Sequence, residues 1–226
     1  MTAKIENCQI DAGDVGRVSA LLTRPPKPQA CFVFAHGAGA GMKHAFMETV
    51  ASGLADRHIA TLRYQFLYME RGLKRPDTPA VAHAIVRAAV SQAARSMAGV
   101  PLVAGGKSFG GRMTSQAQAL APMPDVRGVA FFGFPLHPAG KPSDQRAEHL
   151  LKITVPMLFL QGTRDKLADE GLLRPLIRKL GDRASLELLP DADHSFHVPA
   201  RSGRNDREIM SVALDAFASW CTAIAH

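Results

Sequence analysis

A chain of 226 residues, 46% hydrophobic and 21% charged, can bury one sizeable core and is too short for two, so a single domain over 1–226 is expected. Its 27 Lys and Arg against 20 Asp and Glu give a formal charge of +7, yet the basic residues are dispersed and aromatics make up only 6%, which argues against a nucleic-acid surface. The opening MTAKIENCQI is too polar for a secretion signal, no uncharged apolar run nears the roughly 18 residues of a membrane span, and Cys8, Cys31 and Cys221 are odd in number and far apart. These features set the expectation of a cytoplasmic protein with reduced, buried thiols and neither membrane nor nucleic acid as partner.

In chain order, residues 4–10 and 17–23 read as two strands joined by the turn-rich segment 11–16, an antiparallel start. After Pro25-Pro26-Lys27-Pro28, the run Ala30–His36 is continuously apolar, as in a strand covered on both faces, and ends in Gly37-Ala38-Gly39-Ala40-Gly41. A helix over 44–56 and a strand over 59–64 follow. The densest basic stretch, with Arg63, Arg71, Lys74 and Arg75, reads as a solvated loop or the anion-attracting rim of a pocket. Thr78 with Pro79 marks a helix start running toward Met97. Strands at 101–105, 126–133, 157–161 and 185–189 then alternate with helical segments at 110–120 and 169–180, the rhythm of a mostly parallel sheet. The last helix carries a capping box, Asn205 with Glu208, and an apolar face of Ile209, Val212, Ala213, Ala216, Phe217 and Trp220.

The segment Val103–Gly111, VAGGKSFGG, invites a phosphate-loop reading through Gly106-Lys107-Ser108. That motif requires glycine at position 101, which is proline, and a place early in the domain; neither condition is met. The alternative fits throughout: a short apolar strand, glycines two before and two after a serine, then a helix, which is the pattern of a nucleophile elbow. Gly106 and Gly110 flank Ser108 because the turn is too tight for side chains there.

A serine hydroxyl needs a base, and the base a carboxylate, in the chain order Ser, Asp or Glu, His. The strand at 157–161 runs through Gly162 to Asp165, and His194 lies just past the strand at 185–189. Asp165 is preferred over Asp169, at a helix start, over Asp191, and over Asp193, whose side chain should point away from the adjoining ring. His197 offers His-x-x-His spacing with His194, but neither a cysteine nor a third histidine is near in sequence, so no metal site is expected. Donors for a developing oxyanion, each worth about 3 to 4 kcal/mol in known cases, are assigned to the N–H groups of Ala38 and Phe109, with Gly39 as the rival of Ala38 and Gly37 shaping the loop.

With these pieces placed, the sequence resembles the α/β-hydrolases over nearly its whole length. More narrowly, His36-Gly37-Ala38-Gly39, Arg63-Tyr64-Gln65-Phe66, Gly105–Gly111 and Gln161–Asp165 resemble the compact dienelactone-hydrolase-like group, including the hydrolase-like region of a chromatin-complex subunit family. Dienelactone hydrolases proper carry a cysteine where this chain has Ser108. The resemblance implies an α/β fold with a mostly parallel sheet of about 7–8 strands, an antiparallel N-terminal hairpin, helices on both faces, and ester or thioester hydrolysis without a cofactor. Only about twenty residues, Phe134 to Val155, separate two strands where a lipase would carry a large lid, so a small or medium acyl substrate is expected. Tyr64, Phe66, Leu67, Tyr68, Phe134 and Leu136 are candidates to wall its cleft or to belong to the core. The rival functions are a catalytically weak module that binds a protein partner, and a peptidase.

Overall fold

The computed structural model describes residues 3–224; the outer two residues at each end of the expected domain lie outside it. Eight strands form one sheet: β1 (Lys4–Asp11), β2 (Arg17–Arg24), β3 (Ala30–Ala35), β4 (Ile59–Tyr64), β5 (Leu102–Lys107), β6 (Val126–Phe132), β7 (Met157–Gly162) and β8 (Ala184–Leu189), in the spatial order β1-β2-β4-β3-β5-β6-β7-β8. The first hairpin pairs Lys4 with Arg24 through Asp11 with Arg17, and β2 joins β4 antiparallel; every pairing from β4 onward is parallel. This is the expected architecture.

Alternation along the strands explains why helices cover both faces. In β3, Cys31, Val33 and Ala35 point to one side, beneath α3 (Pro79–Ser96), α4 (Phe109–Leu120) and α5 (Glu170–Leu180). The intervening Ala30, Phe32 and Phe34 point to the other, beneath α1 (Ala45–Ala55) and α6 (Asp206–Ile224). A central parallel strand therefore reads as an unbroken apolar run, because both of its faces are inside. On the α1–α6 side the rings of Phe32, Phe34, Phe132 and Phe217 interlock, with centroids 4.7 Å apart for Phe32 and Phe217 and 5.5 Å for Phe34 and Phe132.

The capping box of α6 is reciprocal: the Glu208 N–H donates to the Asn205 side chain at 3.0 Å, and the Asn205 N–H donates to the Glu208 carboxylate at 3.1 Å. Thr78 occupies the cap position of α3 ahead of Pro79, but its side chain makes no capping bond. A short helix α2 (Leu67–Glu70) lies within the segment expected to be an exposed basic loop. Arg63 is not part of that patch: it belongs to β4, is 4% exposed and donates to the Met42 carbonyl at 3.3 Å. Its register on a doubly covered strand overrides its charge. Between β6 and β7 the chain forms only a stretch of 3-10 turns over Gln145–Lys152, with no lid helix among the described residues. No described helix is long and apolar enough to cross a membrane.

Because β3 to β8 run parallel, the loops leaving β3, β5, β7 and β8 all emerge at one edge of the sheet, where residues distant in sequence can meet. The aromatic layer contributes to the stability that holds this edge together. Phe217→Ala, removing a fully buried ring between α6 and the sheet, should cost about 3–5 kcal/mol, read as a lowered urea midpoint at constant m-value.

Candidate active site

β5 continues two residues beyond the expected end, to Lys107, and Ser108 then turns the chain into α4 with φ +50° and ψ −115°. A non-glycine residue in this region stores about 1–3 kcal/mol of strain, sustained only by tight surroundings. Those surroundings are backbone: a Cβ on Gly106 would lie 2.5 Å from the Ala35 carbonyl oxygen, and one on Gly110 would lie 2.5 Å from the same atom and 2.6 Å from the His36 oxygen. The elbow therefore packs directly on the end of β3, which presents the Ser108 hydroxyl at the N-terminal end of α4.

Ser108 Oγ lies 2.8 Å from His194 Nε2, and His194 Nδ1 lies 2.6 Å from Asp165 Oδ2. A carboxylate can only accept, so Nδ1 carries the hydrogen and Nε2 accepts from the serine hydroxyl. The Asp165 side chain is fully buried and further held by the Gln161 side-chain amide at 2.5 Å and the Leu167 N–H at 2.8 Å. Gln161 in turn accepts the Phe134 N–H at 2.9 Å, tying the end of β7 to the loop after β6. The loops bearing Asp165 and His194 touch through Gly162, where a Cβ would meet the Ala192 carbonyl at 2.3 Å.

Two of the rival carboxylates have other partners. Asp169 caps α5, accepting the Leu172 N–H at 3.2 Å. Asp193 turns back on its own loop, accepting from Ser195 and His197 N–H groups at 2.7 and 3.0 Å. His197 pairs with Asp206 at 2.9 Å rather than with His194.

The loop after β3 is braced from below. His36 Nδ1–H donates to the Gly37 carbonyl at 2.7 Å, while its Nε2 accepts the Phe66 N–H at 3.1 Å. The Tyr68 hydroxyl accepts the Gly39 N–H at 2.8 Å, which removes Gly39 as a free donor. The N–H groups of Ala38 and Phe109 have no acceptor among the described residues.

The expected cleft wall needs correction. Tyr64, Phe66, Phe134 and Leu136 are fully enclosed, and Leu67 and Tyr68 nearly so. Each sits at or just past a strand end where α2, α4 and the turns at 145–152 close over the sheet, so these residues are core. Tyr68 contributes through its hydroxyl, not through a wall. Sequence reasoning assigned no role to His36, Gln161 or Lys107. His36 and Gln161 each sit at the end of an apolar strand, the one available sign that a polar group there has a specific bond to make.

Residues 28–222 match the model of a family described as an alpha/beta hydrolase domain, and the chain belongs to that family. Among solved structures it is similar to a dienelactone hydrolase from Anabaena variabilis, with TM-score 0.79, 18% identity and 99% of both chains covered. It is also similar to the esterase domain of a Rhodothermus marinus protein, with TM-score 0.74, 18% identity and coverage of 99% and 100%. Two Mycobacterium tuberculosis proteins provisionally named phosphoribosyl transferases are 29% identical over 198 residues, 86% of this chain; the chain matches 42% of their length.

The buried imidazoles make stability depend on pH. Burial pushes His36 down from 6.5 to about 4; burial and the Arg112 guanidinium do the same to His149, whose Nε2 lies 2.7 Å from the Ser115 hydroxyl. Both titrate near 6.5 in the unfolded chain, so between 6.5 and 4 the unfolded state binds more protons and stability falls as pH drops. For His36 the contribution amounts to about 3 kcal/mol, retained in full above pH 6.5 and lost by about pH 4. Urea midpoints from about pH 7 down to 4.5 should show this, and His36→Gln should flatten the slope relative to wild type.

Proposed function

We propose that this chain is a serine hydrolase that cleaves a carboxylic ester or thioester of a small or medium acyl group through an acyl-enzyme. The observation that carries this reading is the continuous line from Ser108 Oγ through both ring nitrogens of His194 to the buried carboxylate of Asp165. Similarity in fold to a dienelactone hydrolase and an esterase domain supports it. The transferase name belongs to proteins more than twice as long as the matched segment.

In this mechanism His194 Nε2 removes the Ser108 proton as Oγ attacks the acyl carbonyl, and the resulting imidazolium is stabilised by Asp165. Negative charge gathers on the carbonyl oxygen, where the unoccupied N–H groups of Ala38 and Phe109 donate. His194 then returns the proton to the departing alcohol or thiol. Water, deprotonated by the same ring, attacks the Ser108 ester and releases the acid. Access is open because no lid helix covers the rim among the described residues, which suits substrates that need no extended greasy channel. The expected small acyl partner follows from that openness.

A fluorophosphonate probe should label Ser108 and nothing else, and the label should vanish in Ser108→Ala and His194→Ala. Turnover of short aryl esters or acyl thioesters should fall by about 10^6 in either variant and by about 10^4 in Asp165→Asn. Labelling at another serine would falsify the assignment. Failure to turn over any activated ester, with a stoichiometric protein partner copurifying, would favour the interaction module; preference for peptides over esters would identify a peptidase.

A further inference from the structure

Lys107 stands between the apolar end of β5 and Ser108, and the mechanism above leaves its ammonium without a task. Its side chain is only partly exposed, whereas long cationic side chains near a protein edge ordinarily extend into solvent. It turns inward over Gly133, a residue at φ +71° just past β6. A Cβ at that position would come within 2.9 Å of Lys107 Nζ and 3.3 Å of His194 Nδ1, so the glycine leaves room for the ammonium and the imidazole to approach each other. Nζ stands 5.4 Å from the ring centres of both Phe46 on α1 and Phe196 on the loop after β8, within cation–π range. Its hydrogen-bond acceptor is the main-chain carbonyl of His194.

We propose that Lys107 is a positioning residue for His194: its ammonium grips the His194 carbonyl and locks the loop after β8 to the central strand, keeping Nε2 in line with Ser108 Oγ. The inference rests on the reading of Ser108, His194 and Asp165 as hydrolytic machinery. The loop has internal bonds of its own, through Asp193, and a ring anchor in Phe196. Lys107 adds the tie from this loop's main chain to β5, the strand that carries the nucleophile. A single residue thus couples the base to the elbow, through the peptide bond that joins it to Ser108.

The charged and titratable groups facing Nζ are Asp165 after β7 and Asp193 and His194 after β8; α1 and the loop after β6 present Phe46 and Gly133. Burial pushes the Lys107 amine down to about 8, with the two aspartates opposing the shift. Above that pH the grip weakens, because a neutral amine is a poorer donor and has no charge to offer the rings. The active form carries the proton, so kcat falls as pH rises through about 8.

The test compares ester hydrolysis by wild type, Lys107→Met and Lys107→Arg from about pH 6 to 10, with fluorophosphonate labelling of each sample. Lys107→Met, of similar length but without charge or donor, should lower kcat on the order of 100-fold with KM within about twofold, and should lose the alkaline limb. Lys107→Arg should recover about tenfold of that loss and move the limb beyond about pH 10. Wild type that fails to label at Ser108 overturns the underlying hydrolase reading. Wild type that labels, beside a folded Lys107→Met equal to it in kcat and pH profile, overturns the role of Lys107 alone. Should either variant not fold, wild type decides: a kcat flat from about pH 7 to 10 overturns the proposal, and a limb near 8 sustains it.

Discussion

The site depends on how closely backbone approaches backbone where β3, β5, β7 and β8 end. The Ala35 carbonyl occupies the space where side chains on both Gly106 and Gly110 would begin, and the Ala192 carbonyl does the same at Gly162. These contacts leave the main chain no freedom to relax, and so they sustain the positive φ of Ser108. The layer beneath is rigid for a different reason: alternating residues of β3 and β6 feed two separate cores, one under α1 and α6 and one under α3, α4 and α5. Movement of one strand end would disturb packing on both faces at once.

On that frame the polar groups at the edge form a chain of dependencies. Gln161 joins the Asp165 carboxylate to the Phe134 amide; Tyr68 and His36 hold the Gly37–Gly39 loop; Lys107 reaches the carbonyl of His194. Each bond satisfies a group that burial would otherwise leave costly. Each also fixes a loop carrying one proposed reacting group. Stability and preorganisation are here the same set of contacts, so a substitution at this edge would be felt in both.

The sheet was largely legible because its central strands are short, apolar and bounded by glycine and proline, and because parallel strands must alternate with helices. The elbow was legible because its glycines have a steric reason, and Asp165 and His194 because each follows a strand that delivers it to one edge. The cleft residues were not legible. Tyr64, Phe66 and Phe134 sit at or just past strand ends as the reacting groups do, and only the closure of α2, α4 and the turns at 145–152 over them, a tertiary event without local signal, makes them core. The burial of Arg63 was hidden for the same reason: charge predicts exposure, while register on β4 decided it. The bond that engages the Gly39 N–H comes from the Tyr68 hydroxyl, about thirty residues downstream, whose arrival over the loop nothing in the glycine pattern announces.

Two histidines at this edge show how environment divides one chemistry into two tasks. His36 and His194 both follow strands that end at this edge, and both use both ring nitrogens. His36 spends them on main-chain groups, Gly37 and Phe66, in a fully buried setting that holds the ring neutral, so a proton arriving there would have to break the brace of the loop. His194 spends one on a buried carboxylate and the other on a hydroxyl hydrogen, with its side chain 24% exposed. Its partners are the kind that gain when the ring becomes charged: a carboxylate ready to face an imidazolium, and an oxygen ready to surrender a proton. The first arrangement suits a strut and the second a base, and what separates them is which atoms the fold brings to the second nitrogen.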